Sequence, residues 1–361
     1  MTHIDVRFKG SIGVLLLAGV AAVRAGAQPH YAIIDLGTSP TGTQSEGNGV
    51  QSLLSGTMTV NDDIATHAFR TLGLTSLQDL GTLGGTNSIG RGINGLGQVA
   101  GTSDAPENIG FRAFRSAPAF GTALTDLGTL GGNGSEGYGI NATGQVAGYS
   151  YLTANLAYHA VRSAANPGTT LTDLGTLAGG TNSQAYGINN AGHVTGLSNV
   201  AGGAWHAFRY TTSMADIGTL GGANSTGNGI NSSDQVAGTS AIAGNTNDHA
   251  FLSTPGQPIR DLGALGGNNS FGNAINDFGS VVGAAETADG NQHGFFWSAA
   301  TGMKDINSLI VSNPTGLEIV TVNAINNSGS IAGIGRTPNG FFHAFGALSV
   351  PASATVNPNS Y

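Results

Sequence analysis

Short runs of alternating apolar and polar residues recur along the whole chain, broken by glycine, asparagine and serine. In residues 173–220 the runs are Ala185-Tyr-Gly-Ile-Asn189, His193-Val-Thr-Gly196, His206-Ala-Phe-Arg-Tyr210 and Met214-Ala-Asp-Ile-Gly-Thr-Leu220. Alternation over runs this short predicts β-strands. The first two runs are joined by Asn189 and, three residues later, Gly192. An asparagine side chain can bond the backbone as a turn opens, and a glycine can take positive φ as it closes. The pair therefore predicts a hairpin. The spacing returns as Asn94/Gly97, Asn141/Gly144, Asn276/Gly279 and Asn326/Gly329. Asn231 is followed instead by Asp234, a residue that tolerates left-handed backbone better than most. These asparagines are expected to be turn formers. No stretch sustains a 3.6-residue apolar period, so helices should be scarce.

The run that ends each repeat carries an aspartate, at Asp35, Asp79, Asp126, Asp173, Asp216, Asp261 and Asp305, 43 to 47 residues apart. One repeat offers few strong apolar side chains, such as Ile188, Val194, Phe208 and Ile217. Each contributes roughly 1.5–3 kcal/mol on burial. Ordering the backbone costs roughly 1–2 kcal/mol per residue. A single repeat cannot meet that cost, so the repeats must stack into one cooperative body. A four-stranded repeat of this length predicts a β-propeller blade. Two coils of a parallel β-helix per repeat is the alternative.

The ends of the pattern favour the propeller. Tyr31-Ala-Ile-Ile-Asp-Leu-Gly37 matches only a fourth strand. Ala324-Ile-Asn326, Ser330-Ile-Ala-Gly333 and Phe341-Phe-His-Ala-Phe345 match strands one to three. Joined, they make one blade. The expectation is an all-β, seven-bladed β-propeller of four-stranded antiparallel blades, closed by the N-terminal strand pairing with the C-terminal blade. The predicted divisions are a signal peptide (1–27), one propeller domain of seven repeats (28–348) and a C-terminal tail (349–361). The glycine-rich strands, such as Gly137-Tyr-Gly139, are placed at the axis and the Asp-Leu-Gly strands at the rim.

The repeated elements resemble the HAF repeat family of bacterial extracellular proteins. A His-Ala-Phe triplet stands at His67–Phe69, His206–Phe208, His249–Phe251 and His343–Phe345. It is altered at Arg112-Ala-Phe114, His159-Ala-Val161 and His293-Gly-Phe295. Gly-Ile-Asn and Gln-Val-Ala-Gly elements accompany it across nearly all of residues 31–348. The resemblance implies export and supplies no activity or catalytic residues. Residues 45–79 and the connection after Asp305 depart most from the pattern.

Composition narrows the partners. Arg7 and Lys9 precede an apolar run, Gly10 to Val23, shorter than the roughly 20 residues a bilayer crossing needs. Ala25-Gly26-Ala27 then offers a cleavage site. This predicts a secreted or otherwise extracytoplasmic protein, periplasmic or at the cell surface, with no transmembrane segment after cleavage. The chain has no cysteine, a net charge of −8 and, beyond Lys9, a single lysine, Lys304. It cannot build a phosphate-binding stripe, so nucleic acid is excluded as a partner. No metal-site or cofactor motif occurs, and a monomer is expected.

The triplet histidines are read as one structural hydrogen bond per blade, to a neighbouring turn or to the repeated aspartate, and the anchor aspartates as acceptors of backbone N–H groups. Six copies on separate blades do not converge as zinc ligands must. The polar connections Gly-Gly-x-Asn-Ser should ring one face together with the variable loops after strand two. Candidate binding residues there are Asn87, Ser88, Asn133, Ser135, Asn182, Ser183, Asn224, Ser225, Asn269 and Ser270. Trp205 is read as a core aromatic, with a stacking platform for sugar as the functional alternative. No catalytic residue is assigned. The leading expectation is a non-enzymatic binding or scaffold module for carbohydrate or another extracellular protein. The alternatives are a passive surface structural protein and a polysaccharide hydrolase or lyase. The latter would use two of Glu46, Asp104, Glu107, Glu136, Asp248, Glu286 and Asp289.

Overall fold

The computed structural model describes residues 28–73 and 76–350. The predicted signal segment 1–27, and 351–361 of the predicted tail, lie outside the described residues. The described chain is all-β, with three short 3-10 helices and no α-helix.

Its strands form antiparallel ladders in chain order. The ladder of 183–218 comprises Ser183–Ile188, Val194–Asn199, Trp205–Tyr210 and Met214–Gly218, each paired with the next. Residues 45–79, 221–261 and 266–305 repeat that plan. So do 88–126 and 131–173, which are joined into one eight-stranded sheet by a single parallel bridge between Gly134 and Phe111. Antiparallel sequential neighbours remove the β-helix alternative, whose coils pair in parallel.

The last ladder uses both ends of the described chain. Glu318–Ile325, Ile331–Arg336 and Phe342–Val350 supply three strands. His30–Asp35 runs antiparallel to Phe342–Val350, with His30 opposite Val350 and Asp35 opposite Phe345. Ser349 and Val350 thus belong to a strand, two residues past the predicted domain boundary, because Tyr31 and His30 pair with them. A further short strand, Ile310–Ser312, pairs in parallel with the outer side of His30–Asp35. The irregular connection after Asp305 therefore covers an edge that the sequence pattern leaves open.

The first strand of each ladder lies against the first strands of its neighbours. Ser45–Val50 touches Ser88–Ile93 on one side and Glu318–Ile325 on the other. Glycine keeps these strands close. A Cβ on Gly92 would stand 2.8 Å from the Tyr138 carbonyl of the next first strand, and one on Gly139 2.9 Å from the Tyr186 carbonyl.

The triplets explain the packing between ladders. Neighbouring strand residues point to opposite faces, so Ala and Phe of one triplet serve different interfaces. Ala68 packs with Phe114, Ala160 with Phe208, Ala207 with Phe251 and Ala250 with Phe295. A small residue on one face leaves room for the buried ring of the following ladder.

The fourth strands are shorter than the pattern predicts. They stop at or just after the anchor aspartate, as in Leu124–Asp126 and Arg260–Asp261. The Asp126 carboxylate accepts the Gly128 N–H at 2.7 Å, and Gly128 turns to φ +74°. That local turn ends the extended run.

The hairpin asparagines do more than open turns. Asn141 Oδ1 accepts the Gln145 N–H at 2.9 Å, the predicted role. Its Nδ2 donates to the Asn189 carbonyl of the next ladder at 3.1 Å. The same link runs from Asn94 to Asn141, from Asn189 to Asn231, from Asn231 to Asn276 and from Asn276 to Asn326. It ends with Asn326 donating to the Gln51 carbonyl at 3.1 Å.

Candidate recognition face

The predicted polar ring is built first of all as a clasp between ladders. Ser88, Ser135, Ser183, Ser225 and Ser270 are all buried. Each accepts the N–H of the preceding triplet's alanine, as Ser183 does from Ala160 at 2.7 Å. Each donates in turn to the carbonyl of a glycine earlier in its own connection, Gly81, Gly128, Gly175, Gly218 or Gly263. These hydroxyls offer nothing to a ligand.

The asparagines hold the start of the preceding ladder's third strand. Asn87 accepts from the Thr66 N–H at 3.1 Å, Asn182 from Tyr158 at 3.0 Å, Asn224 from Trp205 at 2.9 Å and Asn269 from Asp248 at 3.0 Å. Asn133 differs: it is exposed, and its carbonyl accepts from Arg112 at 2.7 Å. The other four fix the residue just before the preceding triplet. In three successive ladders that residue is aromatic: Phe111, Tyr158 and Trp205, all half-buried. The candidate Trp205 is thus brought to Asn224, and the other two rings occupy its equivalent places. Comparing that one position across repeats would have found them; a tryptophan stands out in composition and a Tyr or Phe does not.

Around Phe111 and Tyr158 further rings gather. Tyr151 stands edge-on to Phe111 at 6.3 Å and to Tyr158 at 5.5 Å between centroids. Tyr149 lies 5.3 Å from Tyr158, and Tyr138 lies 4.8 Å from Tyr186. Glu136 sits among them, accepting from the Tyr138 and Tyr149 hydroxyls, each at 2.8 Å. Arg91 pairs with Glu136 at 3.3 Å, and its guanidinium carbon lies 4.1 Å from the Tyr138 ring centre. Burial pushes the phenols of Tyr138, Tyr149 and Tyr186 up, that of Tyr186 to about 12. They remain neutral donors at ordinary pH. Elsewhere the Tyr138 position holds Asn48, Asn228, Asn273 or Asn323, and Asn323 donates to the Gly47 carbonyl at 3.0 Å. The Tyr, Glu and Arg cluster is therefore an addition to the repeat rather than part of it.

The histidines take their predicted place. His67, His159, His206, His249 and His293 each set Nδ1 2.7 to 2.9 Å from the aspartate of the adjoining fourth strand. His343 does so across the chain ends, 3.0 Å from Asp35. Where the triplet begins with Arg112, Nε lies 3.8 Å from Asp126. No group of three metal-ligating side chains forms among the described residues.

Several loop carboxylates are already engaged. Asp104 accepts from the Asn87 side chain at 2.9 Å. Hydrogen bonds from Asn269 hold the Glu286 carboxyl below its usual range, and one from Thr287 does the same for Asp289. A glycosidase acid needs the opposite shift.

No family model matches the chain, and no curated protein matches it. Solved structures do. The β-propeller domain of the Trilobed protease from Pyrococcus furiosus, described as having an open velcro topology, aligns with a TM-score of 0.54 at 6% identity. The alignment covers 92% of this chain and 97% of that one. A puromycin-hydrolysing peptidase of Mycobacterium tuberculosis aligns with a TM-score of 0.53 at 11% identity, over 92% of this chain and 58% of its own. TolB of Acinetobacter baumannii gives a TM-score of 0.45 at 11% identity, with 70% of this chain on 64% of its own. The chain thus spans about two thirds or less of TolB and of the peptidase. At these identities the likeness concerns fold alone, and the fold is a β-propeller.

Proposed function

We propose that this chain is an exported, non-enzymatic propeller that binds carbohydrate on the face bearing Phe111, Tyr158 and Trp205. One observation carries the reading. Aromatic rings, a carboxylate and a guanidinium gather over three adjacent ladders, and at the Tyr138 position the ladders outside the cluster hold asparagine. Sugar rings present apolar C–H faces to aromatic planes and hydroxyls to amide, carboxylate and guanidinium groups. The clasp asparagines supply the rigidity that such a site needs. The residues of 1–27 support export, and the shortage of lysine disfavours anionic polymers.

The proposal includes a closed ring of seven blades. Support comes from the asparagine relay ending on Gln51, the Asn323 bond to Gly47, and the pairing of His30–Asp35 with Phe342–Val350. The HAF repeat resemblance fits the export reading.

The test is a broad neutral-glycan array followed by calorimetry on the best oligosaccharide. Tyr158→Ala and Trp205→Ala should each weaken binding about tenfold or more, since a ring stacked on a ligand contributes ~1–3 kcal/mol. Unchanged affinity in both variants, or an empty array, overturns the reading.

A further inference from the structure

The residue after the triplet is arginine in four successive ladders: Arg70, Arg115, Arg162 and Arg209. Each guanidinium crosses to the hairpin turn of the following ladder. Arg115 donates to the Gly144 carbonyl at 2.7 Å, and Arg209 to the Asp234 carbonyl at 2.8 Å. Arg70 and Arg162 reach the Gly97 and Gly192 carbonyls in the same way. Arg70 and Arg115 are buried, each satisfied by further carbonyls of the neighbouring outer hairpin. At four interfaces this side chain is a plug.

The fifth interface lacks it. Leu252 stands at the arginine position, and a cleft of ≈ 380 Å³ opens between the ladders 221–261 and 266–305. Leu252, Phe278 and Trp297 give it apolar walls, and Gly279 supplies the turn that an arginine would have reached. One cation faces it. Arg260, exposed on the outer strand, sets its guanidinium carbon 4.8 Å from the Trp297 ring centre. No acidic residue lines the cleft. No hydrogen bond or ion pair engages the Arg260 side chain among the described residues.

We infer that this cleft binds a small aromatic carboxylate, its ring between Leu252, Phe278 and Trp297 and its carboxylate on Arg260. A replacement guanidinium from a ligand would find the Gly279 carbonyl, but it would also meet Arg260, and no acid offsets that repulsion. A carboxylate matches the forked donors of one arginine. The Trp297 face holds that arginine in place. The volume lies within the range of small-ligand sites. The inference is independent of the carbohydrate face, which lies on other ladders.

Phenylacetate is the probe, and benzylamine the cationic control of similar shape. Both are titrated into the full chain carrying Trp205→Phe, so that Trp297 fluorescence reports alone. Phenylacetate should give a saturable change and benzylamine none. Arg260→Gln should weaken phenylacetate about tenfold, the loss of one charge-assisted contact. Leu252→Arg should restore the plug and abolish the response. Arg260 is exposed, so Arg260→Gln decides the matter even if Leu252→Arg fails to fold. No saturable response, an equal response to benzylamine, or an unchanged affinity in Arg260→Gln overturns the inference.

Discussion

The side chain of Asn141 divides its work between two ladders. Its oxygen shapes its own turn, and its nitrogen reaches the carbonyl of Asn189. The Asn-x-x-Gly spacing made the first half readable, because turn formation is local chemistry. The second half joins residues 48 positions apart and leaves no local trace. A substitution separates the two roles. Asn141→Asp keeps the turn acceptor and removes the donor, and it places a negative charge beside a buried carbonyl. If turn formation were the whole role, aspartate would be tolerated. The relay predicts that Asn141→Asp destabilises at least as much as Asn141→Ala. Either change should cost about 1–3 kcal/mol, the cost of an unsatisfied buried group. Urea unfolding of both variants checks the order, and an aspartate variant close to wild type would remove the relay from the account. The tyrosine cluster was illegible for a related reason. Arg91, Tyr149 and Tyr186 each look like ordinary strand residues, Glu136 stood out only as one of seven candidate acids, and only the stacking of three ladders brings the four together.

At the scale of the element, alternation predicted the inner strands well because neighbouring residues of such a strand face different interfaces. In the third strand the triplet's alanine and phenylalanine point into successive interfaces. The sequence pattern shows which residues are apolar, but not that Ala160 is small for the sake of Phe208. The short fourth strands were misjudged because Asp-Leu-Gly reads as a continued run, whereas the carboxylate captures the glycine N–H and bends the chain. The interface reading makes a directional prediction. Ala160→Leu keeps strand and hydrophobicity but inserts volume where the Phe208 ring lies. It should cost roughly 1–3 kcal/mol by overpacking. Phe208→Ala should cost roughly 3–5 kcal/mol through the opposite defect, a cavity. Denaturant melts of both variants are sufficient. A stabilising Ala160→Leu would mean that the interface holds spare volume and that the triplet is not a size match.

For the molecule as a whole, the decisive contact joins residues that are about as distant in sequence as this chain allows. His30–Asp35 fills the place that every other ladder gives to its own fourth strand. Asp35 receives His343 just as Asp173 receives His159. The sequence disclosed this because the missing strand of one end has the composition of the extra strand at the other. It did not disclose Ile310–Ser312, whose residues carry no repeat signature. Tyr31, Ile33 and Leu36 are buried by this arrangement. At roughly 1.5–3 kcal/mol each, their removal should cost about 5–9 kcal/mol. A chain beginning at Thr38 should therefore unfold at least about 10 °C lower than one beginning at Gln28. A synthetic peptide of residues 28–37 should restore the lost stability in a saturable manner, because the groove between Phe342–Val350 and Ile310–Ser312 is specific in register and handedness. A scrambled peptide should not. An unchanged melting temperature on truncation would show that the pairing of His30–Asp35 with Phe342–Val350 does not hold the ladders together. A loss that the correct peptide cannot reverse would show that the strand acts only during folding.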